Sequence, residues 1–434
     1  MGKSKKKELR QALVCEWLDE HYLHYGRLRH DIVTDRLQVA ANMENTEWRN
    51  LTDKDIHTMV CQCVNEVQAN ISTNEMWTAL KSELVPSVHP LRAWLGQLPA
   101  YTNDQPDWLD RLARQVCVVG DEQTNAYWRY CFKKWFVAMV ASWMKDDVVN
   151  HTVLVLIGKQ GLYKTTWLDR LIPPALRAYS SKMPLTGQVQ KDDRLRLCEN
   201  GLLNIDELDA ICGREMNIVK SLLTSSDVNE RAAYGRLKER RVRLASFCAS
   251  TNNREFLTDI TGNRRWLPFE VESIQNPFCT TLLYERIYAQ AKALVDEGIF
   301  EYWFDSEDID VLERHNEEFR SQENEEQLLS LLFDIPAEGL GEFMTTAEIS
   351  DKLVTYGGIK KPMSTRRLGM LLSKAGFMDC RITVNGSKLR GFKVYKRNED
   401  EIKLLKQSQV GAMKHNVVVN DKVGGPIDQQ TILF

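Results

Sequence analysis

The chain has 434 residues, 43% of them hydrophobic and 27% charged, with a formal net charge of −3. That is an ordinary globular balance, long enough for two or three domains. The small net charge excludes attraction of the whole molecule to nucleic acid, so any such binding must come from local basic patches.

The basic start, MGKSKKKELR, is followed by no apolar stretch, so no signal peptide is read. Leu9, Leu13, Trp17 and Leu18 then predict a helix over 8–24. Alternating apolar and polar residues over 26–48 predict one small hairpin. Thr52 and either Ser72 or Thr73 are read as caps of two further helices. Cys61 and Cys63, the one close pair among ten scattered cysteines, fall in the first of these and read as buried free thiols. The scatter fits a reducing cytoplasm. Pro86, Pro90, Pro99 and Pro106 interrupt the next stretch, which ends a mainly helical N-terminal domain (1–106). A mostly helical, aromatic-rich collar over 107–150 reads as core, with a subunit interface or a base-stacking surface as the alternative. Its apolar run Trp135–Trp143 is too short to span a membrane.

Thr152 to Ile157 is a short β-branched run, the pattern of a buried central strand. A loop with Gly158 and Gly161 comes next, then Lys164-Thr165-Thr166 and a helical stretch. Strand, glycine loop, Lys-Thr and helix make a phosphate-binding loop, whose backbone N–H groups and helix N-terminus cradle phosphates. Lys164 would reach the β- and γ-phosphates of ATP, and Thr165 would hold Mg²⁺. Tyr163 stands where the usual G-x-x-x-x-G-K-[ST] spacing has glycine, so the loop alone is also compatible with a chance Lys-Thr after a turn.

A second apolar strand, 201–205, ends in Asp206 and Glu207. An ATPase needs one carboxylate near Mg²⁺ and one to polarise the attacking water, and the pair fits those roles in that order; solvated acids are the bland reading. A third strand carries Ser250-Thr251-Asn252, where Asn252 could orient water or simply make a turn. Between them lies VNERAAYGRLKERRVR (228–243), a basic hairpin with Tyr234-Gly235 at its turn. Gly262-Asn263-Arg264-Arg265 offers two adjacent arginines, one of which could act across a subunit interface.

The order of these motifs resembles superfamily 3 helicases, and the forms IDELDAI, STNNREFL and TGNRRWLPFEV resemble the virulence-associated protein E family. The resemblance implies an ATP-driven ring, usually hexameric, acting on nucleic acid, with the hairpin pointing into the channel. Carried over, Tyr234, Arg236 and Lys238 would touch a DNA strand.

Residues 277–320 read as helical, closing a core of 151–322. Helices over 328–335, 346–356 and 364–375 precede alternating runs joined by Asn385-Gly386, a strong hairpin signal. Three helices and a hairpin predict a winged helix over 323–398, with Arg366, Arg367, Lys388 and Arg390 as DNA contacts. Such a module can also serve purely to bind protein, the lesser alternative. A polar tail, 399–434, closes the chain. The expected fold is thus an α/β P-loop, AAA+-like ATPase core with an N-terminal mainly helical domain and a C-terminal winged helix. The expected activity is a ring-forming helicase or translocase of a phage or mobile element, with a primase as a natural partner. A recruiting ATPase ring without unwinding, or an ATPase acting on protein in defence, remains the alternative.

Overall fold

A computed structural model of the chain describes residues 3–40, 47–183, 191–205, 208, 213–225, 227–230, 239–257, 263–320, 324–336, 341–357, 363–384 and 387–405. The fold is mixed α/β with several sheets, and the described residues form two compact units, one ending at Arg320 and the other beginning after it. No helix among the described residues is long and apolar enough to cross a membrane.

The first unit opens with α1 (Lys3–Leu18). The expected hairpin is present as β1 (Leu28–Asp31) and β2 (Arg36–Ala40), but it is part of a larger sheet. β3 (Trp48–Asn50) joins β2 on one side. After α2 (Asp53–Val67) and α3 (Thr73–Leu80), β4 (Ser87–Val88) joins β1 on the other. Thr52 and Ser72 cap α2 and α3 through reciprocal bonds with Asp55 and Glu75, so each helix start satisfies its own orphan donors. Of the close cysteine pair only Cys63 is buried; Cys61 faces solvent, because two residues along a helix is more than half a turn.

After α4 (Pro90–Gly96) and α5 (Trp108–Ala113) comes β5 (Val116–Val118), then the long α6 (Glu122–Met144). β6 (Val153–Ile157) and α7 (Lys164–Asp169) are next, then β7 (Ser180–Lys182), α8 (Lys191–Glu199), β8 (Leu202–Ile205) and α9 (Gly213–Thr224). β9 (Asp227–Glu230), β10 (Glu239–Val242), β11 (Ser246–Thr251) and β12 (Trp266–Ile274) precede α10 (Tyr284–Glu297) and α11 (Ser306–Asn316). Six strands form one sheet in the order β5-β12-β6-β11-β8-β7. All its pairings are parallel except that of β5, which closes one edge antiparallel to β12.

β6 is buried along its whole length, and its alternation assigns residues to two layers. Leu154 and Leu156 pack with the α6 aromatics, whereas Val153, Val155 and Ile157 pack with residues of α8 and α9. Trp128, Phe132, Trp135, Phe136 and Trp143 of α6 are fully buried, so the aromatic stripe is core. Tyr130, by contrast, is exposed, because the N-terminal half of α6 keeps a polar face. The buried indoles donate to backbone carbonyls, Trp135 to Phe247 at 3.1 Å and Trp143 to Gly201 at 3.1 Å. Position 201 must be glycine for this contact, since a Cβ there would lie 2.8 Å from the Trp143 ring.

β9 and β10 pair antiparallel with Glu230 opposite Glu239, which are the arms of the basic hairpin. Two of its cations are structural. Arg241 pairs with Glu199 at 3.1 Å and donates to the Val33 carbonyl. Arg243, just past β10, has no solvent exposure.

The second unit comprises α12 (Asn324–Leu332), β13 (Phe333–Asp334), β14 (Glu342–Thr345), α13 (Thr346–Gly357), α14 (Thr365–Lys374), β15 (Met378–Val384) and β16 (Ser387–Lys396). The three helices and the β15–β16 hairpin match the pattern read from the sequence, and β16 also pairs with β13 and β14. Ser364 caps α14 by accepting from the Arg367 N–H at 3.3 Å. Leu353, Leu368, Leu372, Phe392 and Val394 form its core.

Candidate functional site

The parallel strands β6, β11 and β8 all point their C-terminal ends the same way, and the loops after them gather there. Gly158 leaves β6 with φ +151°, and its N–H donates to the Thr251 carbonyl at 3.1 Å. A Cβ at 158 would sit 3.1 Å from Leu162 and 3.2 Å from the Val271 carbonyl, so only glycine fits the turn without a shift. At Gly161 a Cβ would meet nothing within 4 Å, so that side of the loop is open. Tyr163 has φ +60° and ψ +16°, the left-handed conformation that glycine adopts freely. The departure from the usual spacing therefore leaves the backbone path of a glycine in place, at a strain of roughly 1–2 kcal/mol. Tyr163 is the N-cap of α7, and its carbonyl accepts from the Trp167 N–H at 2.8 Å.

That path delivers Lys164 to the centre of the cluster. Its side chain is 7% exposed. Nζ donates to the carbonyls of Gly158 at 2.6 Å and Lys159 at 2.8 Å and to Asn252 Oδ1 at 3.1 Å. The Thr165 and Ser250 hydroxyls lie 3.0 Å apart. Lys164, Thr165, Thr166, Tyr163, Ser250 and Asn252 line a pocket of about 360 Å³. An ammonium group, two hydroxyls and the start of a helix around one hollow can receive an anion.

The structure thus brings together Gly158, Gly161, Tyr163, Lys164, Thr165, Thr166 and Asn252. Ser250 joins them without being legible as a site residue in the sequence, although it lies at the end of β11, two residues before Asn252. β8 ends at Ile205 beside Ala249, and Asp206 and Glu207 lie outside the described residues. So do Tyr234, Arg236 and Lys238. Among the described residues no cluster of His, Cys, Asp or Glu could hold a metal ion.

Arg264 and Arg265 are elsewhere in the chain. They form a short 3-10 turn just before β12, and Trp266 pairs with Val153 at the start of β6, not with its end. Five residues of strand rise separate that level from Gly158, roughly 17 Å at about 3.3 Å per residue. Neither arginine reaches the Lys164 pocket of its own chain. Burial, with the Arg265 charge nearby, pulls the Lys220 ammonium of α9 down to about 8.

In the second unit Arg366 and Lys388 are exposed and Arg367 is half-buried. Arg390 forks onto Asp379 across the hairpin, with contacts of 3.1, 3.0 and 2.5 Å. The Arg390 guanidinium holds the Asp379 carboxyl below the usual carboxylate range.

A family model described as the virulence-associated protein E-like domain matches residues 98–321, just over half of the chain. Among curated proteins none matches. Two apo structures of the NrS-1 C-terminal region (305–718), one of them its A form, are similar at 12% identity and a TM-score of 0.43, covering 85% of this chain and 96% of theirs. A further A form apo structure of that region gives 11% identity and a TM-score of 0.41 over the same shares.

Proposed function

The chain belongs to the virulence-associated protein E-like family, and on that premise we propose that it is a cytoplasmic, ring-forming ATPase of the superfamily 3 type. It uses ATP hydrolysis to move along DNA during replication of a phage or mobile element. The observation that carries this reading is the Lys164 cluster at the C-terminal ends of β6 and β11, built on a loop whose glycines and left-handed Tyr163 follow the course of a P-loop.

The residues fit ATP. Lys164 sits where it can pair with the β- and γ-phosphates, the N–H groups at the start of α7 face the same hollow, and the open side at Gly161 leaves room for the phosphate chain. Thr165 would hold Mg²⁺ together with Asp206; the ion, when bound, neutralises charge on the phosphate oxygens. Glu207 takes the proton of the attacking water, and Asn252, already bonded to Lys164, orients that water. The rise of the sheet between Arg265 and Gly158 favours an arginine supplied to a neighbouring subunit's site, which makes a ring, of six by family resemblance, part of the mechanism. The second unit would act as a winged helix on duplex DNA, and a primase would be a natural partner.

The deciding experiment measures ATP hydrolysis with and without single-stranded DNA while recording oligomer mass. Hydrolysis that requires Lys164, rises with DNA and accompanies a ring supports the proposal. A ring whose hydrolysis ignores DNA points instead to an ATPase that recruits partners or acts on protein. Glu207→Gln is expected to keep ATP binding while turnover falls about 10²–10⁴-fold, the range of a lost general base; normal turnover would remove Glu207 from the assignment.

The hairpin should separate hydrolysis from movement. Replacing Tyr234, Arg236 and Lys238 with alanine removes one stacking face, at about 1–3 kcal/mol, and two phosphate contacts. Basal hydrolysis is expected to persist, with DNA stimulation and strand displacement lost. Unwinding at the parental rate would leave the recruiting ring as the better account. Arg366→Ala with Arg367→Ala should instead weaken duplex binding and leave single-strand stimulation intact.

A further inference from the structure

The pocket at Lys164 does not end at Thr166. A second hollow of about 620 Å³ opens beyond that residue, with Thr166 and Asp169 of α7, Arg177, Ser181 and Lys182 of β7, and Phe278 among its lining. Phe278 belongs to the segment between β12 and α10, for which the sequence pattern predicts a helix. The structure leaves that segment irregular, and Phe278 is 78% exposed. Its ring meets the Tyr163 ring edge-on, with centroids 6.2 Å apart. Tyr163 lines the first hollow and Phe278 the second, so the two rings stand at their junction.

The polar groups of the second hollow are held ready for hydroxyls. Asp169 accepts from Asn204 Nδ2 at 2.7 Å through one oxygen, which fixes the carboxylate and leaves its other oxygen without a partner among the described residues. Ser181 Oγ is buried and has no hydrogen-bond partner among them. Arg170 is already committed, donating to the Thr280 carbonyl at 2.7 Å. An exposed flat ring gains most from a flat apolar partner, and a fixed carboxylate from hydroxyl donors. A nucleoside offers both. A bare phosphate offers neither; Arg177 and Lys182, which also line the hollow, would attract one, so single-stranded DNA is the competing occupant.

We infer that the second hollow is the nucleoside subsite, with the base stacked on Phe278 and the ribose hydroxyls on Asp169. The inference rests on reading the first pocket as the triphosphate site. A phosphate chain seated at Lys164 and Thr165 leaves past Thr166, the residue both hollows share.

The test uses the full chain and three probes: ATP, inorganic tripolyphosphate and single-stranded DNA. Phe278→Ala should weaken ATP about 5- to 100-fold, the effect of losing one base stack, and leave tripolyphosphate unchanged. Because Phe278 is so exposed, its truncation costs little core packing. Asp169→Asn should narrow the preference for ATP over 2′,3′-dideoxy-ATP. Lys164→Ala should weaken ATP and tripolyphosphate together. The subsite is overturned if Phe278→Ala weakens both phosphates equally, weakens neither, or changes only DNA binding. If the parental protein binds neither ATP nor tripolyphosphate, the triphosphate reading fails first and the subsite with it.

Discussion

Arg243→Met is expected to lower the stability of the first unit by about 3–5 kcal/mol, the range for stranding several buried polar groups at once. Arg243 has no exposed surface. It donates to the carbonyls of Leu223 at 2.7 Å, Asn150 at 2.9 Å, Ala245 at 3.0 Å, Leu222 at 3.1 Å and Ser225 at 3.3 Å. Three of these carbonyls lie at the C-terminal end of α9, where the helix dipole favours a cation; two of them have a second donor, Leu222 the Ser225 N–H at 3.2 Å and Leu223 the His151 Nδ1 at 2.9 Å. Burial pulls the guanidinium pKa down to about 9, still well above neutrality, so the group stays charged. A buried ion pair can sometimes be replaced by apolar residues without loss, because both partners are removed. Here the partners are main-chain carbonyls that no substitution removes. Lysine restores the charge but offers three donors to five acceptors, so Arg243→Lys should recover only part of the loss. All eleven tryptophans precede Arg320, so tryptophan fluorescence in a urea titration reports this unit alone. A shift below about 0.5 kcal/mol, the ordinary range for a surface substitution, would show that the carbonyls find other donors.

Arg243 also marks where sequence reasoning stops. In the chain it is one of several cations in a basic hairpin, and its spacing says nothing of burial. Its role arises because α9, β11 and the turn at Asn150 converge on one point, which is a tertiary event. The same holds for Phe278, a lone aromatic after a proline, whose meaning depends on which helix face it overlooks. Legible features are those with a local cause. The β-branched run of β6, the caps at Thr52 and Ser72 and the arms around Asn385-Gly386 are each dictated by neighbours within a few residues. The Lys-Thr loop is legible for that reason too, and Tyr163 then adopts the backbone that its position demands. The short edge strands β4, β5 and β14, two to four residues long, carry too little pattern to be read. They exist because a neighbouring strand offers unpaired groups.

The second large effect concerns Arg264 and Arg265. A subunit carrying Arg264→Ala and Arg265→Ala and a subunit carrying Lys164→Ala should each be nearly inactive alone, yet recover hydrolysis when mixed. The sheet geometry carries the expectation. β12 runs parallel to β6, with Trp266 level with Val153 and Glu270 level with Ile157. The arginines therefore sit below the start of the strand whose far end bears the loop. An arginine acting on transferring phosphate is worth about 10³–10⁵ in rate, but only in contact. In a closed ring with head-to-tail interfaces, each site combines one subunit's loop with its neighbour's arginines. An equal mixture then contains roughly one site in four with both halves intact, so recovery to about a quarter of the parental rate is expected. Native mass spectrometry establishes that mixed rings have formed. If they have formed and hydrolysis stays at the level of the separate variants, neither arginine serves a neighbour's phosphate.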